Sequence, residues 1–520
     1  MKRNAFSFPT PWVITALLLT ATLIGSATAF LNPGNLPWQA FFSGFLIALI
    51  CIGGLWIAWK WAGGRKWMLI CMTLAFLLRI LFGFSMIGLL PQWGYPEPAP
   101  QHGYLYLDAF QRDRDAWQLA QSDQALAAAF GEGFSTDQYG GLLSLSAAIY
   151  RTLSPDAQRP ALILILAAFF PAMGIPFLWQ ALSQRWNKEL AGVSCWIFAL
   201  YPESIILGGS QMREPFIIGL SAVAFWGVVE WKYNRRNSFV AILLGLLGAA
   251  FFSWMAAAAL AVVVLLWFFL DHIQLSLRSP QKKYGWIALV LVAVLALLFS
   301  LNWLTDSARW DLYLMESSSG RIQFELDAIG RQWRIPFIVT YGFFQPVLPA
   351  ALAYPGILLM RVIALFRSLG WYAIAPILLF SLIAIFREKN FHDRSVMFWF
   401  WSAFIIWVFI SSIRAGGDQW DNVRYRALFT IFMSISAGWG LTHLKERYAV
   451  WLKRFYLVEG MFVLVFLQWY LSRYYRFFGR LRFWTMILVI VGATVVILTS
   501  GYLFDRWKLK KSTDKSTKGS

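Results

Sequence analysis

The sequence predicts an all-α membrane protein that crosses the bilayer many times, and three observations predict it. The 520-residue chain is 59% hydrophobic and 14% charged, where soluble domains carry roughly a quarter charged residues; its mean hydropathy is +0.58. Apolar runs of about twenty residues recur from end to end, long enough for a helix to cross a hydrocarbon core of about 30 Å. The basic residues gather in short turns between those runs, as expected when Lys and Arg are held in cytoplasmic loops. A membrane β-barrel would show shorter, alternating segments.

Taken in order, helices are expected at about 11–30, 38–60 and 67–90. Residues 1–30 join Lys2 and Arg3 to an apolar stretch that ends in Ala27-Thr28-Ala29. A cleaved signal peptide has that form, and we read an uncleaved first span. The Lys60/Arg65/Lys66 turn marks the cytoplasmic side, so the third span exits on the opposite face. Residues 116–130 read as an amphipathic surface helix. Residues 138–153 are apolar but short. Counted as a crossing, they would put the basic turn at 185–188 outside. Counted as an interfacial or re-entrant helix, they leave every later loop consistent. Spans then follow at about 160–182, 190–208, 216–231, 239–252, 255–270 and 286–304, the pair over 239–270 being too short for two full crossings. After a long loop over 305–370 come spans near 371–386, 396–413 and 427–442. Residues 457–471 are a weaker candidate, 484–503 span, and the polar tail from Asp505 reads as disordered. The total is roughly 12–14 transmembrane helices, with interfacial helices on the extracytoplasmic side.

On this map every lysine lies on the cytoplasmic side, and the outer loops carry arginine instead: Arg112, Arg114, Arg213, Arg309, Arg321, Arg331, Arg334, Arg414, Arg424 and Arg426. The formal net charge of +19 therefore reports topology rather than nucleic-acid binding, because the basic clusters are split among short loops. Guanidinium groups bind phosphate or carboxylate through a planar fork, which suits an anionic lipid headgroup. Ordinary surface ion pairs are the plain alternative for any single arginine. Cys51, Cys71 and Cys195 lie in apolar runs, and His102, His272, His392 and His443 are scattered. Neither a disulfide framework nor a Cys/His metal spacing follows. No inverted repeat of broken helices is visible, which weighs against a secondary transporter. Arg79, inside the third run, is the charge a transporter would use at the midplane.

Four outer stretches could carry chemistry. In Tyr104 to Gly140, Asp108, Asp113 and Asp115 alternate with Arg112 and Arg114 beside Trp117. A carboxylate that deprotonates a hydroxyl must lie within hydrogen-bond reach and hold a suitable pKa, although helix-start acids also complement the dipole. In Tyr201 to Pro215, Arg213 and Glu214 sit where Pro215 opens a helix, a place where backbone N–H groups receive phosphate. Arg414 to Arg426 joins three arginines, two aspartates and two aromatics at the mouth of a span. The loop over 305–370 holds Asp306, Asp311, Glu316, Asp327, Arg321, Arg331 and Arg334 among aromatics and prolines.

These parts, in this order, resemble the GT-C glycosyltransferases, which include protein mannosyltransferases, aminoarabinose transferases and oligosaccharyltransferase catalytic subunits. Asp113-Arg114-Asp115-Ala116-Trp117-Gln118-Leu119-Ala120 is similar to the acidic pattern of that superfamily's first outer loop. Gln138-Tyr139-Gly140-Gly141 stands where an interfacial helix begins, without the usual prolines. Leu200-Tyr201-Pro202 with Arg213-Glu214-Pro215 is similar to the second acidic loop. Arg424-Tyr425-Arg426 resembles a late Arg-Tyr motif without its proline. The likeness covers about 67–270 and, loosely, 414–442.

The resemblance implies transfer of a sugar from a polyprenyl-phosphate donor to a glycan, lipid or protein acceptor on the extracytoplasmic face of the plasma (inner) membrane. Asp113, then Asp115, Asp108 and Glu214, are its candidate acids, one as general base. Arg213, Arg334, Arg424, Arg426, Tyr139 and Trp117 are its candidate substrate contacts. Some members of the superfamily use a divalent metal such as Mg or Mn and others none; Asp113 with Glu214 would be the ligands here. The expected organisation is two leading spans over 1–66 and a catalytic module over 67–270 with its acidic loop at 91–159. C-terminal helices over 271–456, terminal helices over 457–503 and a basic tail over 504–520 complete it. An O-antigen polymerase or ligase, leaning on 305–370, and a lipid or sugar transporter are the alternatives.

Overall fold

A computed structural model of the chain describes residues 11–134, 139–273, 330–444, 446–477 and 481–517, with the single positions 287, 291, 309 and 479. Among these, helix is the only regular structure. Among the described residues nine helices are long and apolar enough to cross a membrane, or ten if one bent pair is a single span. The protein is an integral membrane protein of the all-α polytopic class. The span expected at 286–304 and the first part of the 305–370 loop lie outside the described residues.

The N-terminal half runs α1 (Pro11–Leu31), α2 (Pro37–Trp61), α3 (Lys66–Trp93), α4 (Pro98–Gln101), α5 (Leu107–Gln121), α6 (Gly141–Leu153) and α7 (Pro160–Arg185). It continues with α8 (Lys188–Leu200), α9 (Pro202–Gly208), α10 (Glu214–Glu230), α11 (Arg235–Phe252) and α12 (Trp254–Phe268). After Gly330 come α13 (Arg334–Phe344), α14 (Leu348–Ala353), α15 (Leu358–Phe386), α16 (Phe391–Ala415), α17 (Asp421–Ala427), α18 (Thr430–Thr442), α19 (Glu446–Tyr474) and α20 (Phe483–Thr517).

α7 is the hub. Its most apolar window is 72% buried, against 22% for α1 and none for the span of α20. α2, α3, α8 and α10 all pack on it. Pro171 and Pro176 lie inside it, a cost that neighbouring helices absorb in membrane proteins. α3 comes close to the α9–α10 loop through Gly83, where an added Cβ would meet the Gly209 carbonyl oxygen at 2.6 Å.

Several expectations change. The amphipathic helix expected over 116–130 is instead α5, which starts at Leu107 and ends at Gln121. Arg151 stops it by taking the carbonyls of Leu119, Ser122 and Gln124 at 2.7, 3.1 and 2.9 Å; a 3-10 turn over Leu126–Phe130 follows. The span expected at 190–208 bends by 53° between α8 and α9. Pro202 forces the break, because proline disfavours helical backbone at the residue before it; Tyr201 sits at φ −58°, ψ 119°. α11 and α12, expected to be short, are each long enough to cross, the second counted as Trp254–His272. The span expected to begin at 371 begins at Leu358, so Arg361 and Arg367 lie inside it. The tail expected as disordered continues α20 to Thr517.

Segments expected on the same side of the membrane meet one another at the two ends of the bundle. Arg185 (last residue of α7), Asp271 (after α12) and Asp393 (first turn of α16) form ion pairs at one end. Asn32 and Pro33 (after α1) meet Arg159 (before α7) at the other. That pairing requires α6 not to cross: its 13 residues lie chiefly against α5, with a smaller contact to α11.

Candidate active site

At the arginine-bearing end, three stretches distant in sequence meet at one guanidinium. Arg424 on α17 places Nη1 3.1 Å from Asp108 on α5 and 3.3 Å from Asp421. Its Nε is 3.3 Å from Glu214 at the start of α10, an ion contact outside hydrogen-bond alignment. Nη2 donates to the Tyr425 hydroxyl at 3.2 Å. The Arg424 and Glu214 side chains are 3% and 1% exposed, while Asp108 is 54% exposed. Burial opposes the charge of Arg424, but Glu214, Asp421 and Asp108 outweigh it and hold the group well above its ordinary pKa.

Asp113 lies apart from this meeting point. It is buried, and its Oδ1 accepts from the Tyr150 hydroxyl at 2.6 Å. Its Oδ2 accepts from the Tyr104 hydroxyl and from Gln158 Nε2, each at 2.6 Å. Burial raises its carboxyl above the ordinary range against the pull of those three bonds and of Arg112. Burial and the neighbouring carboxylate push both phenols far up, so they remain donors. Arg112 donates to the Gln211 carbonyl and ties this cage to the α9–α10 loop. Asp115 is half-buried on α5. Trp117 packs edge-on against Tyr150, centroids 5.8 Å apart.

Of the expected substrate contacts, Arg213 and Tyr139 come together, the guanidinium 4.4 Å above the ring. Arg426 is buried and lies 3.9 Å over the Trp371 ring. Its Nη2 donates to the Gln345 carbonyl, but its Nε and Nη1 make no hydrogen bond. Burial draws it down to about 10. Arg334 opens α13. Glu214 Oε2 and the Tyr106 hydroxyl are likewise buried without a partner. Buried polar atoms left unmatched each ask for an explanation.

Residues the sequence reading passed over complete the setting. Glu203 on α9 and Arg367 on α15 form a buried two-pronged pair at 2.7 and 2.9 Å. Arg367 also lies 4.3 Å over the Trp420 ring and donates to the Trp420 carbonyl at 3.3 Å, just ahead of α17. The pair thus fixes the segment that delivers Arg424. Charged residues inside apolar runs were the available signal. Arg79 was noticed for that reason, and it is a staple: it donates to the Ala75 and Ala199 carbonyls and the Ser204 hydroxyl at 2.6, 3.0 and 2.8 Å, spanning the α8–α9 break.

The donor set does not fit a divalent ion between Asp113 and Glu214. Both Asp113 oxygens already accept hydrogen bonds, and Arg424 faces Glu214. No group of three or more His, Cys, Asp or Glu placed to hold a metal occurs among the described residues.

Neither a protein-family model nor a curated protein sequence matches the chain. In structure it is similar to the archaeal oligosaccharyltransferase AglB from Archaeoglobus fulgidus, solved in complex with an inhibitory peptide and a dolichol-phosphate. The TM-score is 0.37 and the identity 13%, over 86% of this chain and 56% of that one, so the chain spans little more than half the length of that enzyme.

Proposed function

We propose that this protein is a membrane glycosyltransferase that moves a sugar from a polyprenyl-phosphate donor to an acceptor hydroxyl or amide at its extracytoplasmic end. The observation that carries the reading is the meeting of Asp108, Glu214 and Arg424, one from each of three outer loops. A cluster of charges at one end of the bundle suits a donor whose lipid stays in the bilayer and whose phosphate and sugar emerge from it. The acceptor attacks the anomeric carbon, the bond from that carbon to the phosphate oxygen breaks, and polyprenyl phosphate leaves. A single displacement of this kind inverts the anomeric centre.

Within this reading Asp108 takes the acceptor proton. It is the acid of the first loop that is both exposed and in contact with Arg424, whereas the oxygens of Asp113 are committed to Tyr104, Tyr150 and Gln158. Asp113 acts as a positioning residue that holds α5 on α6. Arg426, with two uncommitted guanidinium nitrogens, and Arg213, stacked on Tyr139, receive the donor phosphate. Glu214 keeps Arg424 in place.

The test is donor turnover. The purified chain in lipid-detergent micelles is offered a panel of polyprenyl-phosphate hexoses and pentoses, and release of polyprenyl phosphate is measured. Release from one donor, lost in Glu214→Gln, is expected; a chain that consumes none of the panel refutes the reading.

A further inference from the structure

We infer that Arg424 occupies the cation position of this site, so that the site takes up no divalent metal ion while Arg424 is present. The inference deepens the proposed function by fixing its metal requirement, and it rests on that reading only where turnover is concerned. Three carboxylates from three elements converge on one guanidinium. Asp108 and Asp421 share Nη1 at 3.1 and 3.3 Å, and Glu214 stands 3.3 Å from Nε. These are ion-pair and hydrogen-bond separations. A Mg ion demands oxygens at about 2.0–2.1 Å in octahedral array, and none can lie among these carboxylates unless the guanidinium leaves.

The surroundings point the same way. Glu214 Oε2 is buried and accepts no hydrogen bond, so this acid has coordination capacity that the arginine does not use. Asp108 and Asp421 are 54% and 36% exposed and can turn toward a common centre, while Arg424 at 3% is enclosed. Three carboxylates against one guanidinium leave a formal charge of −2 there. Removing the guanidinium raises it to −3 and frees the oxygens that a hard cation prefers. Asp113 cannot join such a centre, because its oxygens are held by Tyr104, Tyr150 and Gln158. The guanidinium is thus a fixed positive charge, covalently supplied, where a metal would otherwise neutralise the acids and set their spacing.

The experiment is a Mn2+ titration of the full chain in detergent, read by loss of the free-ion electron paramagnetic resonance signal. The wild type is expected to retain no Mn2+ at millimolar concentration. Arg424→Gln is expected to bind one ion, and Arg424→Gln with Glu214→Gln to lose it again. Wild-type binding that Asp108→Asn abolishes overturns the inference, as does an Arg424→Gln protein that elutes as the wild type does and binds nothing. Should Arg424→Gln not fold, the wild-type titration with Asp108→Asn decides by itself. Donor turnover separates this claim from the previous one. Turnover abolished by EDTA overturns the inference and leaves a transferase, whereas a protein without turnover overturns the transferase and leaves the Mn2+ result standing.

Discussion

Replacing Tyr150 by Phe should cost more stability than replacing Tyr104 by Phe, although both hydroxyls touch the same carboxylate at 2.6 Å. The difference follows from how the oxygens of Asp113 are shared. Tyr150 is the donor recorded on Oδ1; Oδ2 has Tyr104 and Gln158 together. Removing the Tyr150 hydroxyl strands a buried charged acceptor, at a cost of about 1.5–3 kcal/mol, while removing the Tyr104 hydroxyl leaves Oδ2 satisfied at about 0.5–1.5 kcal/mol. The ring packing of Tyr150 on Trp117 survives in Phe. The penalty also depends on pH. Burial raises the Asp113 carboxyl in the folded state, so the folded chain keeps that proton to higher pH than the unfolded chain does. The contribution of Asp113 to stability is therefore greatest in acid and falls as pH rises from the ordinary aspartate value through the folded one. Losing Tyr150 weakens the charged form, pushes the folded value further up and deepens that fall. Its deficit should be small in acid and grow as pH rises through the folded value. Unfolding titrations with SDS in mixed micelles at two pH values would measure it. Equal losses for the two variants, or a Tyr150→Phe deficit that grows toward acid, would refute the reasoning.

Other consequences can be measured in the same way. Glu203→Gln or Arg367→Gln alone should destabilise by about 3–5 kcal/mol, because each leaves a buried charge unpaired; the double variant should lose less than the two single losses added together. Gly141→Ala should prevent folding, since its Cβ would run into the Phe251 backbone carbonyl, whereas Gly53→Ala, with nothing near, should express as wild type. Arg79→Gln should loosen the α8–α9 break and lower thermal stability by more than Arg361→Gln, because Arg79 is fully buried and binds three acceptors.

Much of the architecture was legible because hydropathy and charge act on long segments. Apolar runs fixed most spans, and the confinement of lysine to one side fixed their parity, including the decision that 138–153 does not cross. Residues assigned to the same side do meet, as Arg185, Asp271 and Asp393 show. Which aspartate meets Arg424 was not legible, because it depends on helix phase. At about 100° per residue, Asp108 and Asp115 lie on nearly one face of α5, and Asp113 sits about 140° from Asp108. With the helix start placed after Asp108 instead of at Leu107, that face could not be assigned. Long-range ion pairs were also invisible. Arg367 fell in an expected loop, and Glu203 in an expected straight helix. Only the bend at Pro202 and the earlier start of α15 bring them together.

The central claim is that the acid at Arg424, and not the caged Asp113, performs the chemistry. The direct measurement is the rate of sugar release from the accepted polyprenyl-phosphate donor by Asp108→Asn, with Asp123→Asn as an exposed control. A general base contributes typically about 10²–10⁴-fold. The account predicts a loss of that order for Asp108→Asn, at unchanged donor KM and unchanged stability, and a control that turns over as wild type. An Asp108→Asn protein that transfers at the wild-type rate would contradict it.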